Sequence, residues 1–463
     1  MIVAIGIALF FAAQFAGIGA GATQSEADLA WQRWLGETIL RTHHLPHALG
    51  SETFSAVGAR WVPQEWFFSI VVALAMRAHL FALLAMGVAA GSALALLLAG
   101  ALARRRGASQ PATWLALFLC GIAMEQLFGV RAQVAVWPLA AAYLFLLDLD
   151  DARAFAAIAI AVLWANVHAS AMLAPVLATL RTAADGLDVG PSDARTRRTA
   201  TIAAGSALAM FATPFGFALP QYALRLLSSP IRGAILEWRA PHLTDLSFAF
   251  GILPIALATL GIGLASRRLR RGDALFALAI FAFALLAARN LALAAIALAP
   301  LCARALTPLL PDDLRIVSLV RERGTAAVLA VAIAVGGAAV AARANALVAA
   351  TGTRLPTAFV RDAARLPGIR HLYCEDFAWC SLALANPRVR TFLDGRCDPF
   401  PSAVWRDYLA IARDRRMRSR LLERDRIDTV LARSRGPLER SLREGGRWRV
   451  VAVSARYTLF ARE

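Results

Sequence analysis

The chain contains no lysine, so all 49 of its Lys-or-Arg positions are arginine. A Schiff-base amine and a lysine-tipped phosphate loop are thereby excluded. Charge is scarce as well, at 17% of residues, against about 25% in soluble domains. Patterns of the GxGxxG, GxSxG and CxxC kind are absent, which argues against dinucleotide, hydrolase and dithiol chemistry. Of five cysteines, Cys120 and Cys302 lie in apolar segments and read as small hydrophobes. Cys374, Cys380 and Cys397 gather near the C-terminus, where an oxidising compartment would let one pair bridge. Cys374 and Cys397 both fall at the ends of expected strands, so a structural disulfide and a site role stay open for them.

What the chain has in excess is apolar length. Its 59% hydrophobic content and mean hydropathy of +0.58 are gathered into runs of about 17 to 25 residues, long enough to cross a bilayer as helices. A polytopic membrane protein is expected, with spans at 2–22, 79–103, 111–128, 133–147, 199–217, 248–265, 274–288, 291–306 and 325–342. The first lacks a basic leader and reads as a retained anchor. Arg104, Arg105 and Arg106 place the loop after the 79–103 span in the cytoplasm. Both flanks of 154–180 look cytoplasmic, which favours a hairpin or broken helix turning near Trp164, Asn166 and His168 over one tilted span. About eleven crossings follow, with the N-terminus inside and the C-terminus outside. The net charge of +18 would suggest nucleic acid in a soluble chain. Here the arginines sit in short loops and the C-terminal region, as topology requires, and no nucleic-acid partner is expected.

Two polar regions interrupt the apolar pattern. Residues 24–66 form a first external loop rich in Asp28, Arg33, Glu37, His43, His44, His47, Glu52, Arg60 and Glu65, with Trp31, Trp34, Trp61 and Trp66. The histidines lack metal-ligand spacing, so no metal is expected. The tryptophans suit sugar stacking and an interfacial belt equally. The transmembrane domain is taken as 1–350, and 356–463 as a soluble α/β domain. In the latter, strands are expected at 371–374, 389–395, 428–434 and 448–454, with helices at 376–385, 403–425 and 436–445 between them, making a mostly parallel sheet.

The series Asp28, Trp31, Gly36, Pro46, Phe54-Ser55, Trp61 and Glu65-Trp66 continues with Arg131 and Gln133, then Trp164, Asn166 and His168. Thr213-Pro214-Phe215-Gly216, Glu237-Trp238, Arg289-Asn290 and the terminal FLDGRCDPFPSAVWRDY complete it. This order resembles a group of bacterial multi-span membrane proteins similar to the C-type glycosyltransferases, over nearly the whole chain. The resemblance implies a helical transmembrane bundle with a small extracytoplasmic α/β domain, in the bacterial cytoplasmic (inner) membrane. It also implies a polyprenyl-phosphate sugar donor and an acidic base, or acceptor partner, in the first external loop. Asp28 is the matching position. The Asp-Pro-Phe-Ser usual in the group appears as Glu52-Thr53-Phe54-Ser55, and Asp28 lacks a paired acidic neighbour.

Transfer from a lipid phosphate needs an acceptor hydroxyl to lose its proton and the leaving phosphate to be neutralised. Asp28 is the candidate base, with Glu65 in reserve. Arg131 and Arg289, at span ends, are candidates for the phosphate, or else snorkel to head groups. His168 beside Asn166 either orients substrate or makes a helix-packing hydrogen bond. Glu237 and Trp66 complete the candidate substrate-binding set. Asp394, Arg396 and Asp398 read first as a structural knot and second as an acceptor-binding edge. The expected partners are a lipid-linked sugar donor and membrane lipids, with no cofactor. The competing reading is a non-enzymatic transporter, lipid-handling or assembly protein with the same fold.

Overall fold

The computed structural model describes residues 2–22, 26–227, 233, 235–313, scattered positions between 327 and 342, and 356–463. The expected span at 325–342, apart from those scattered positions, and Arg232 lie outside the described residues. The chain divides into two compact units. Unit 1 comprises Met1–Ala22, Leu80–Ala223 and Arg232–Thr351; unit 2 comprises Thr23–His79, Leu224–Ile231 and Gly352–Glu463.

Unit 1 is helical, as its Ala- and Leu-rich sequence requires once water is excluded and backbone groups must pair internally. Four helices among the described residues are long and apolar enough to cross a membrane: Ile2–Ala20, Phe81–Arg105, Ser247–Ala265 and Ala288–Leu306. Shorter apolar helices include Ala132–Leu147 and Ala152–Val167. This is a multi-pass membrane protein. The helix Leu291–Leu306 is buried along most of its length and packs against Phe81–Arg105, Gln110–Glu125 and Arg271–Leu286. In 154–180 the chain breaks at His168, whose backbone is extended (φ −162°, ψ 141°). A 3₁₀ turn at Ala169–Met172 then leads into the helix Leu173–Val189.

Unit 2 joins two stretches distant in sequence. From the first loop come the helices Asp28–Thr42 and Trp66–Arg77, packed together. Gly36 makes their close approach possible, since a Cβ there would stand 2.0 Å from the Ser69 carbonyl oxygen. From the C-terminal stretch comes a five-stranded sheet of β1 (Arg370–Cys374), β2 (Val389–Thr391), β3 (Thr429–Arg433), β4 (Trp448–Val453) and β5 (Tyr457–Arg462). The order is β2-β1-β3-β5-β4. β1 is parallel to β2 and β3, whereas β5 is antiparallel to both β3 and β4.

The mostly parallel sheet expected from sequence is therefore half antiparallel. β5 went unanticipated, and the short Ser454–Arg456 turn before it leaves room only for an antiparallel hairpin. The expected helix at 403–425 is two helices, Ser402–Arg413 and Arg415–Arg424. Asp414 divides them by capping the second, accepting from Arg416 N at 2.8 Å and Met417 N at 3.2 Å. The expected helix at 376–385 is a 3₁₀ stretch, Phe377–Ala383. It returns Cys380 over the end of β1, where Cys380 and Cys374 form a disulfide with Cα atoms 5.8 Å apart. Cys397 stands outside that bond, so the bridge is local and not between strand ends.

Because the atom facing Gly36 is backbone, Gly36→Val forces the two loop helices apart. A loss of at least about 2 kcal/mol is expected, read as a lowered unfolding temperature of the purified protein.

Candidate functional site

In unit 2 the carboxylates of the first loop meet the C-terminal stretch. Asp28 opens the helix Asp28–Thr42 and accepts from Trp31 Nε1 at 3.2 Å. Gln32 lies one turn further on the same face and donates from Nε2 to Glu65 Oε2 at 2.6 Å. Gln64 Nε2 donates to the other oxygen, Oε1, at 3.1 Å. Glu65 is the residue just before the helix Trp66–Arg77. Burial pushes the Glu65 carboxyl up, the nearby Asp28 carboxylate adds to this, the two amide donors oppose it, and the result is a pKa of about 7. Asp398 contributes in the same upward direction. The floor of this cluster holds buried polar atoms with no hydrogen-bond partner among the described residues: Gln32 Oε1, Trp66 Nε1 and Ser69 Oγ.

The DGR segment closes the cluster from the C-terminal side. Gly395 N donates to Ser381 Oγ at 2.9 Å, and a Cβ on Gly395 would stand 3.3 Å from Trp31 Cδ1 and 3.6 Å from Asp28 Oδ1. The same Cβ would stand 2.7 Å from Ser381 Oγ, so a side chain here would push that hydroxyl away from the Gly395 N–H. Arg396 is buried and pairs with Asp394 at 2.8 Å and with Glu52 at 2.7 Å. The rings of Trp34 and Trp61 lie 5.1 and 5.2 Å from its guanidinium carbon. Beside it, Thr391 N donates to Glu52 O at 2.9 Å and Phe54 N to Thr391 O at 3.1 Å, so 52–54 runs parallel to β2 as a short added strand. Glu52, where the group's motif has aspartate, thus reaches Arg396.

Unit 1 gathers the second set of candidates. Arg131 Nη1 donates to Glu237 Oε1 at 2.5 Å. Burial acts to raise the Glu237 carboxyl, but Arg131, with Arg289 behind it, outweighs this and holds the pKa below the usual carboxylate range. Arg289 Nη2 donates to Gln133 Oε1 at 2.6 Å, and its guanidinium carbon lies 5.0 Å from the centre of the Trp238 ring. The turn carrying Arg289 is pinned where Ala288 N donates to Arg239 O at 2.8 Å. His168 Nδ1 accepts from Ser170 N at 3.0 Å and caps the helix break, which leaves the other ring nitrogen to carry the proton in the neutral imidazole. Asn166 Nδ2 donates to Val162 O and Ala212 O, both at 2.9 Å. Among the described residues no group of three or more His, Cys, Asp or Glu side chains is arranged to hold a metal ion, and His43, His44 and His47 are not drawn together around one.

Sequence reading placed Asp28, Glu65 and Trp66 in one loop and Arg131, Glu237 and Arg289 at span ends. It missed Gln32 and Gln64, which hold Glu65. The available signal was Gln32 four residues after Asp28 in a helix otherwise apolar on that face.

Two outcomes follow. Arg396→Met leaves Glu52 and Asp394 as buried carboxylates without their partner, and a loss of roughly 3–5 kcal/mol is expected in thermal unfolding. A carboxyl whose pKa is raised on folding binds more protons in the folded state, so its contribution to stability is present at low pH. That contribution is lost as pH rises from the ordinary carboxylate range through about 7. Stability measured across this window is expected to fall with pH in the wild type and to flatten in Glu65→Gln.

In a search of solved structures the chain is similar to the archaeal oligosaccharyltransferase AglB from Archaeoglobus fulgidus, in complex with an inhibitory peptide and a dolichol-phosphate. That match has a TM-score of 0.63 at 14% identity and covers 100% of this chain and 74% of the other. It is also similar to ArnT from Cupriavidus metallidurans bound to undecaprenyl phosphate, with a TM-score of 0.57 at 14% identity, covering 99% and 97%. At such identities the likeness is one of fold, and the fold is that of the C-type glycosyltransferases. No family model and no curated protein matches.

Proposed function

We propose that the chain is an integral-membrane glycosyltransferase that moves a sugar from a polyprenyl-phosphate donor to an acceptor on the extracytoplasmic side of a bacterial inner membrane. In this reading residues 1–350 cross the membrane about eleven times, the N-terminus is cytoplasmic, and 356–463 lie outside. The observation that carries it is the Glu65 carboxyl, set beside Asp28, held by two amides and raised to about 7, in a chain whose fold is shared with proteins solved with polyprenyl and dolichol phosphates.

A general base works best when its pKa lies near the working pH, and Glu65 meets that condition. The acceptor oxygen bonds to the anomeric carbon as its proton passes to Glu65. The bond between that carbon and the phosphate oxygen breaks, and the polyprenyl phosphate leaves with the electron pair. Asp28 positions the acceptor and keeps the Glu65 proton affinity high. In unit 1, Arg289 donates to a neutral amide, lies against Trp238 and has its charge partly offset by Glu237, which makes it the candidate there for a phosphate. Arg131 is partly neutralised by Glu237 and contributes orientation more than charge. A lipid-handling reading has its own observation, an apolar cavity in unit 1 of about 260 Å³, lined by Trp164, Leu173, Leu177, Ile280 and Phe283 among others.

The deciding assay is transfer of labelled sugar from a panel of polyprenyl-phosphate sugars by the protein in nanodiscs. Turnover rising with pH through about 7, abolished by Glu65→Gln, is the expected result. Asp28→Asn removes the neighbouring negative charge, so the rising limb shifts to lower pH. Arg289→Gln is expected to lower kcat/KM at least about tenfold, the order of one charge-assisted contact. Saturable donor binding without turnover would overturn the enzyme reading in favour of lipid handling.

A further inference from the structure

A second charged cluster in unit 1, which the proposed reaction does not use, lies where the arginine-rich ends of several helices meet. Its acids are Asp148, Asp150, Asp185 and Asp273. Its bases are Arg105 and Arg106 at the end of Phe81–Arg105, Arg181 midway along Leu173–Val189, Arg195 and Arg198 early in Ala194–Ala209, and Arg304 near the end of Leu291–Leu306. Asp148 receives Arg106 at 2.9 Å, with Arg105 and Arg195 at 3.3 Å. Asp185 receives Arg181 at 2.6 Å, and Asp273 receives Arg304 at 2.9 Å and Arg181 at 3.3 Å. Asp150 receives Arg198 at 3.1 Å and Arg105 at 3.2 Å.

Two features of this network are not explained by its internal pairs. Among the described residues six guanidiniums pair with four carboxylates, while the neighbouring Asp188 and Asp193 carboxylates accept from the backbone at Gly272 and Arg195. Moreover, Nε of Arg181, Arg195 and Arg198 are all buried donors with no hydrogen-bond acceptor among the described residues. Arg181 is only 7% exposed. Arg195 Nε lies 3.2 Å from Asp185 Oδ1 but is not aligned to donate to it. A buried donor left unmade is costly, and in a native protein it points to a missing acceptor such as water or an ion.

We propose that this cluster is a binding site for a phosphate-class anion, either the head group of an anionic phospholipid or free phosphate. The charge fits, since a phosphate carries roughly −1.5 to −2 and a diphosphatidyl lipid two negative charges. The donors fit, since guanidinium N–H groups match phosphate oxygens geometrically. The position fits a lipid, because the cluster includes the ends of the apolar helices Phe81–Arg105 and Ala288–Leu306, and basic pockets between the ends of spanning helices collect anionic lipids. Arg105, Arg195 and Arg198 form the reachable rim, with side chains 38%, 27% and 14% exposed, and Arg181 lies within.

The test is thermal unfolding of the full chain at constant ionic strength in three settings: phosphatidylcholine nanodiscs, the same discs containing cardiolipin, and phosphatidylcholine discs with added inorganic phosphate. Wild type is expected to be stabilised by cardiolipin over phosphatidylcholine. In Arg195→Gln/Arg198→Gln the apparent lipid affinity should fall about tenfold or more. Arg153→Gln, at an exposed arginine paired with Asp151 at 2.6 Å, should respond like wild type. The single Arg198→Gln variant leaves the Asp148 and Asp185 pairs in place and keeps the test valid if the double variant folds poorly. Stabilisation by inorganic phosphate alone, lost in the same variants, supports the site and assigns it to a free anion. Equal behaviour in all three settings, or a cardiolipin effect undiminished in both rim variants, overturns it.

Discussion

The buried guanidinium of Arg396 sets the geometry on which unit 2 depends. It carries Asp394 on one side and Glu52 on the other, with Trp34 and Trp61 against it. A desolvated ion pair of this kind adds little net stability over a well-packed apolar substitute, but it is strict about its partners. That strictness is what the loop needs. Glu52 brings the 52–54 segment alongside β2, and the neighbouring Gly395 comes up against Trp31 and Asp28. The carboxylate pair, held by Trp31, Gln32 and Gln64 of its own loop, is thus closed over by a segment anchored through a contact 344 residues apart, that of Arg396 with Glu52.

The two charged clusters of unit 1 differ in how their arginines are balanced. Arg289 is held by a neutral amide and an aromatic face, which fix its direction, and only the more distant Glu237 offsets its charge. At the arginine-rich helix ends, each carboxylate is shared among several guanidiniums, and the balance is nearly but not wholly complete. A residue type used throughout for want of lysine thus does two different jobs, set by whether its partner is an amide or an acid.

Much of the fold was legible because apolar run length is a strong signal. Leu291–Leu306 begins and ends where the hydropathy pattern places it, and the break at His168 was signalled by polar residues and conflicting flanks. The C-terminal sheet was less legible. β5, YTLFAR, is short and ends the chain without a following turn signal, and the division of 402–424 into two helices rests on one capping side chain, Asp414. At the site, titratable residues announced themselves by their rarity in an apolar chain. Their partners did not, because Gln32 and Gln64 are unremarkable in sequence and gain meaning only from what they face. The role of Glu52 was hidden for the same reason, since its partner lies at the far end of the chain.

The composition of unit 2 from Thr23–His79 and Gly352–Glu463 has a consequence for how the protein comes into being. The loop that carries Asp28 and Glu65 leaves the ribosome well before the strand and arginine that it packs with. Until then Glu52 lacks its guanidinium and Trp34 and Trp61 lack the cation they face, while the apolar helices between are already being inserted. Closure of the carboxylate cluster thus waits on synthesis of residues 391–396, and a chain terminated before them would enter the membrane with Glu52 unpaired and the cluster open on that side.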